Sequence, residues 1–137
     1  ATRLDSGEFI GLTATSFNSV SLDPPLVLWS LADTARSLPV FSVNSHYIVN
    51  VLAADQVALA ERFAQRVDNR FEGVAYDLSP AGLPILKGVA AWFECRNRSR
   101  YAEGDHLIFV GEVERCDVHP QPALVFHGGR FVATDIK

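Results

Sequence analysis

A mainly β fold, a small closed or nearly closed antiparallel barrel with one or two helices, is what the apolar runs along the chain predict. Six or seven short segments are rich in β-branched and aromatic residues, while one stretch alone has the period of an amphipathic helix. Two of the long runs, Gly88 to about Arg98 and Leu107 to Arg115, are joined by Tyr101–Asp105, too short for a helical crossover, so they pair as an antiparallel hairpin. In the second of them Leu107, Phe109 and Val113 face one way and Ile108 and Val110 the other. That pattern suits a barrel wall covered outside by a helix or a second subunit.

Glu8–Thr15 (EFIGLTAT) predicts the first strand, with Gly11 inside it, where a missing side chain marks a bulge or a close approach by another backbone or a ligand. Leu22-Asp23-Pro24-Pro25 breaks the chain. Leu26–Leu31 (LVLWSL) is nearly all apolar and is expected to be buried on both faces, and His46–Leu52 (HYIVNVL) is a third strand. Asp55 is placed to cap a helix from Gln56 to about Arg66, whose Leu59, Phe63 and Val67 share the face that packs on the sheet. Ala123–Phe126 and Arg130–Ala133 form a last pair around His127-Gly128-Gly129.

The 137 residues suit one domain, 1–137, and 48% apolar with 20% charged residues is a globular composition that needs no disulfide or metal to fold. A net charge of −4 gives no general attraction to phosphate backbones or anionic membranes, so nucleic acid is not an expected partner. No apolar run approaches the ~18 residues of a membrane span, and the first residues lack the basic-then-apolar order of a signal peptide. A cytoplasmic protein without membrane association is expected. Cys95 and Cys116 belong to no CxxC or His-paired spacing, so no metal site is expected and both read as buried structural cysteines.

The segment Gly11–Pro25 (GLTATSFNSVSLDPP) crowds Thr13, Thr15, Ser16, Ser19 and Ser21 at a strand end and the loop after it. Hydroxyls and free backbone N–H groups can together satisfy a phosphate or a polar ring edge. A Ser/Thr-rich turn bonding to its own backbone has the same composition, and composition does not separate the two. The order of residues is more telling. It resembles the opening signature of the flavin reductase family, the reductase components of two-component flavin monooxygenases. Tyr47–Leu52 with Asp55-Gln56 and Phe63-Ala64, then Leu83–Leu86 (LPIL), then Gly104–Val113 (GDHLIFVGEV) continue the resemblance, which runs from Gly11 to Phe131.

The resemblance implies an FMN-binding split β-barrel, antiparallel and of Greek-key type, in a homodimer. It implies that NADH or NADPH reduces FMN or FAD, and that reduced flavin diffuses to a partner flavin-dependent monooxygenase. Thr13, Ala14, Thr15, Ser16 and Phe17 are then expected to line the isoalloxazine and ribityl part of the site, with Ser19 and Val20 beside them. Thr34, Ala35, Arg36 and Ser37 match the loop that meets the flavin phosphate, where Arg36 offers a permanent charge and a planar fork. Arg66 is a second phosphate candidate, although a last-turn arginine also suits the helix dipole. His106, in Gly104-Asp105-His106, is implied to sit by the flavin where the nicotinamide stacks, orienting it and helping with a proton. His46, His119 and His127 read as structural.

Arg96-Asn97-Arg98-Ser99-Arg100 places alternate arginines on one face, open to a dinucleotide's phosphates, to a partner subunit's flavin or to water. There is no GxGxxG for a Rossmann site, no carboxylate pair and no Ser/His/Asp arrangement; hydride transfer between two cofactors needs none of them. The family's usual N-terminal helix and strand are represented by Ala1–Arg3 alone, so the chain is expected to lack them. A flavin- or heme-binding split barrel without turnover, for storage or electron transfer, is the competing expectation. A pyridoxine-phosphate-type oxidase is disfavoured by Ser19–Pro25 and by Gly104-Asp105-His106.

Overall fold

The structure, a computed structural model, describes residues 1–133. In chain order the elements are β1 (Thr2–Arg3), β2 (Phe9–Ile10), β3 (Asn18–Leu22), β4 (Pro25–Ala32), α1 (Leu38–Val43), β5 (His46–Val51), α2 (Val57–Ala64), β6 (Tyr76–Leu78), β7 (Pro84–Leu86), β8 (Ala91–Glu103), β9 (His106–Val118), β10 (Leu124–His127) and β11 (Arg130–Ala133). Five of these form an antiparallel sheet in the order β3-β4-β9-β8-β5, and the others form two-stranded ribbons, β1-β2, β6-β7 and β10-β11. The expected barrel closure is not found: β3 and β5 stay at the edges of the sheet. The start of the chain lies along the β5 edge, where Ala1 and Ile48 exchange main-chain bonds of 2.7 and 2.9 Å.

The β8-β9 hairpin is tighter than its sequence suggests. Glu103 pairs directly with His106, so the turn is Gly104-Asp105 alone, and Gly104 takes the left-handed φ of +60° that such a turn requires. Alternation along β4 sends Val27, Trp29 and Leu31 into the core and leaves Leu28, Ser30 and Ala32 on the other face. The Trp29↔Phe109 rung stacks the two rings at 4.6 Å and 11°, and Phe41 of α1 and Tyr47 of β5 meet Trp29 edge-on at 5.1 and 5.5 Å. Leu107, Phe109 and Val113 do share the core face, as their spacing predicts.

Helix α1 supplies Phe41 and is the second of the one or two helices expected, though the sequence does not show its place: it is six residues long, too short for a period to show, and opens with Pro39 in its first turn. Helix α2 is shorter than Gln56–Arg66, and Asp55 does not cap it. Its N-cap is Gln56, whose side chain accepts from the Ala53 N–H (2.9 Å) and donates to the Lys87 carbonyl (2.8 Å). Phe63 anchors a second cluster with Leu86 and Val89, while Val67 falls beyond the helix and is exposed. Arg62 and Arg70 hold residues 65–72 after α2 by donating to main-chain carbonyls, Arg70 also reaching Gly11 at 2.8 Å.

Of the two cysteines Cys95 is buried, but Cys116 is exposed, because it falls on the solvent-facing end of β9. Burial pushes the Cys95 thiol from 9.0 to about 12, and raises the Tyr47 phenol above the ordinary tyrosine range. Both groups hold their protons more tightly folded than unfolded, so the stability they contribute is complete below pH 9 and lost as pH rises towards about 12. Urea midpoints should therefore fall steadily above about pH 9, and Tyr47→Phe should make that fall shallower.

Candidate functional site

Thr13–Phe17 is not the end of a strand but an irregular strip along the edge of β4 beyond the point where β3 stops. Its path is set by distant partners. Thr13 donates its N–H to Phe63 (3.2 Å) and its hydroxyl to Ala60 (2.6 Å), both carbonyls of α2. Ser16 Oγ accepts from the Ser30 N–H at 2.8 Å, taking the edge position that another β3 residue would fill. The N–H groups of Ala14, Thr15 and Ser16 consequently donate to nothing among the described residues, and Ala14 and Thr15 are exposed. The close approach expected at Gly11 is made by rings: a Cβ there would lie 3.2 Å from Phe71 and 3.3 Å from Phe63.

Behind the strip is a cavity of about 360 Å³, within the ~300–1,000 Å³ typical of small-molecule pockets. Thr13, Ala14, Thr15 and Phe17 line it, as do Trp29, Phe41, Tyr47 and Phe63, and the β10-β11 ribbon covers it with Val125, Phe126 and Phe131. Trp29 Nε1 and the Tyr47 hydroxyl are buried without a hydrogen-bond partner among the described residues. Sequence reasoning did not reach these wall residues, because an aromatic in a strand reads the same whether it fills a core or borders a cavity.

His106 lies elsewhere. It shares a rung with Ala32, so both project on the face opposite Leu31, Trp29 and the cavity. The Asp33 N–H donates to the Asp105 carbonyl at 2.9 Å and ties the turn after β4, which leads into Thr34–Ser37, to the turn before β9. Ser30, which holds Ser16, stands two residues from Ala32, so the strip and the His106 rung are separated by roughly 7 Å along β4. Arg36 is exposed and has no partner among the described residues, Thr34 is exposed, and Ala35 packs against the core. His106 Nδ1 is 2.7 Å from Asp105 Oδ1, and this bond, with the charge of His106, holds the Asp105 carboxyl below its usual range.

Other predicted residues stand apart. Ser16 holds the strip but does not border the cavity. Ser19 pairs with Val27, and Val20 sits at the irregularity that follows, both towards the far end of β4 from Ala32. Arg66 lies past the C-terminus of α2 rather than in its last turn, exposed and off the cavity wall. The arginine run does not share one face. Arg96 and Arg98 converge on Glu112 at 3.2 and 3.0 Å, and a bulge between Asn97 and Ser99 sets Arg100 across from Phe109. His46 is paired with Glu114 at 2.7 Å. Among the described residues no helix is long and apolar enough to cross a membrane, and no group of three or more His, Cys, Asp or Glu is placed to hold a metal ion.

Known proteins resemble the chain over most of its length. The chain is 44% identical over 122 residues, 89% of its length and 70% of the other's, to FMN reductase (NADH) SmoA of Agrobacterium fabrum. It is 42% identical over 108 residues to the stachydrine N-demethylase reductase subunit Stc3 of Rhizobium meliloti, covering 79% of this chain but only about half, 47%, of that protein. Among solved structures it superposes with a TM-score of 0.87 and 38% identity on the Streptomyces globisporus NADH:FAD oxidoreductase SgcE6 in complex with NAD and FAD fragments, over 90% of this chain and 76% of that one. With residues 1–135 matching the model of the flavin reductase like domain, the chain belongs to that family.

Proposed function

We propose that this chain binds flavin across the Thr13–Phe17 strip and reduces it with NADH or NADPH, supplying reduced FMN or FAD to a separate monooxygenase. The observation that carries the reading is the run of three main-chain donors, at Ala14, Thr15 and Ser16, that have no acceptor among the described residues, together with an exposed Arg36 that has no partner among them either. That donor set fits the acceptor-rich edge of an isoalloxazine, and Thr34, Arg36 and Ser37 fit its phosphate. Flavin, when bound, supplies the hydride-accepting chemistry. The protein supplies position: the main-chain donors of the strip hold the polar edge, Arg36 the tail, and His106 the nicotinamide. A ring sunk in the cavity would be screened from His106 by the sheet, so the reading places the ring on the His106 side of the strip.

That side also carries Leu28, Ile108 and Val110, half-buried and in neither core cluster, with Tyr101 exposed across from Ile108. A second copy laid over this face would complete a split barrel and close the flavin groove, which is why we read the active form as a homodimer.

One experiment tests both parts: sedimentation of the purified chain, followed by NADH and NADPH oxidation assays with FMN and with FAD on the separated species. Turnover should depend on added flavin and reside in a species of twice the chain mass. Tight flavin binding with no nicotinamide oxidation in any of the four pairings would favour the binding-only alternative.

A further inference from the structure

Two main-chain features fix the backbone from which the Asp105 side chain extends. The turn has only two residues, with Gly104 in the left-handed region, and its Asp105 carbonyl is held by the Asp33 N–H at 2.9 Å. From this fixed backbone Oδ1 reaches His106 Nδ1 at 2.7 Å. A carboxylate only accepts hydrogen bonds, so the ring nitrogen facing it carries the proton. In a neutral imidazole the other nitrogen, Nε2, is then the unprotonated one.

The remaining charged groups near this corner among the described residues are Glu103, across the rung from His106, Asp33 on the adjoining turn and Arg36 on the loop after β4; of all of them Asp105 is the one within bonding distance of the ring. The His106 side chain is 48% exposed, so solvent alone would leave the choice of tautomer open.

We propose that Asp105 is a positioning residue, which orients His106 and holds it as the Nδ1–H tautomer so that Nε2 is the nitrogen offered to the bound cofactors. This rests on the reading of His106 as part of the reductase site. It deepens that reading by naming which ring nitrogen works and what fixes it. The main-chain bond from Asp33 extends the same support, since it couples the loop assigned to the phosphate with the turn that aims the imidazole.

The test uses the full chain with Asp105→Ala, Asp105→Asn and His106→Ala, assayed for kcat with saturating FMN and NADH. The His106 tautomer is read in parallel from nitrogen-15 NMR shifts of the ring. Asp105→Ala should lower kcat on the order of tenfold, the lower end of what outer supporting residues contribute, and should shift the tautomer away from Nδ1–H. Asp105→Asn, whose amide oxygen still accepts from Nδ1, should recover most of both. FMN affinity and the thermal midpoint should stay at their wild-type values, because Asp105 is 89% exposed. An Asp105→Ala protein with wild-type kcat, or with an unchanged tautomer, overturns the proposal. If His106→Ala itself leaves turnover intact, the reductase reading of His106 has failed first, and the two failures are told apart.

Discussion

Replacing His106 with alanine is expected to lower NADH-driven flavin reduction by about a hundredfold, at the lower end of what a positioned acid–base group contributes, while flavin affinity changes little. The two effects separate because of where the residue sits. The donors assigned to the flavin edge belong to the Thr13–Phe17 strip and those assigned to its phosphate to Thr34–Ser37, whereas His106 belongs to the first rung of β9. Its side chain is half exposed and, among the described residues, bonds to the neighbouring Asp105 alone, so truncation leaves no cavity in the core. Flavin titration by fluorescence and stopped-flow NADH oxidation on the same preparation make the comparison. Equal losses in binding and turnover would move His106 into the flavin-binding set.

The second large effect is on stability. A methyl group added at Gly111 would sit 2.5 Å from the Tyr47 hydroxyl and 2.9 Å from Cys95 Cβ, closer than packed atoms approach, in a part of the core where Tyr47 and Cys95 are 1% and 0% exposed. Gly111→Ala should therefore cost about 2 kcal/mol through overpacking, seen as a lower urea midpoint with an unchanged slope. Tyr47→Phe removes the nearest clashing atom, and that hydroxyl is itself buried without a partner among the described residues, so the single change should be close to neutral. In the double variant the phenylalanine should return about 1 kcal/mol of the loss. Strict additivity would show that the Cys95 contact, not the phenol, sets the limit.

How much of this was legible in advance depended on how local the cause was. Two-faced apolar alternation in β9 and the Gly104-Asp105 turn are written in consecutive residues, and the hairpin and its core face follow from them. The irregularity of Thr13–Phe17 is not local. The Thr13 hydroxyl is bound by a carbonyl 47 residues away, so a segment with strand-like composition is pulled out of the ladder. The arginine run failed for a related reason: one bulged residue reverses the parity on which alternation arguments depend, and nothing in the run marks it. The strip and the loop proposed for the phosphate rest on the order of their residues, which registers a family resemblance without showing its geometry. That geometry includes the fact that His106 and the cavity occupy opposite faces, and it is fixed by the β4-β9 register, a pairing of residues about 80 positions apart.

The molecule contains two tryptophans, and the fold gives one to each of its hydrophobic clusters: Trp29 is stacked on Phe109 in the first, and Trp92 packs against Phe63, Leu86 and Val89 in the second. Each cluster thus carries its own intrinsic fluorophore. Trp29 is on the wall of the cavity behind the strip, while Trp92 belongs to the cluster anchored by α2. Emission from single-tryptophan variants separates the melting of the sheet's aromatic stack from the melting of the helix-covered half, so the cooperativity between the two halves is measurable in this chain without an added label.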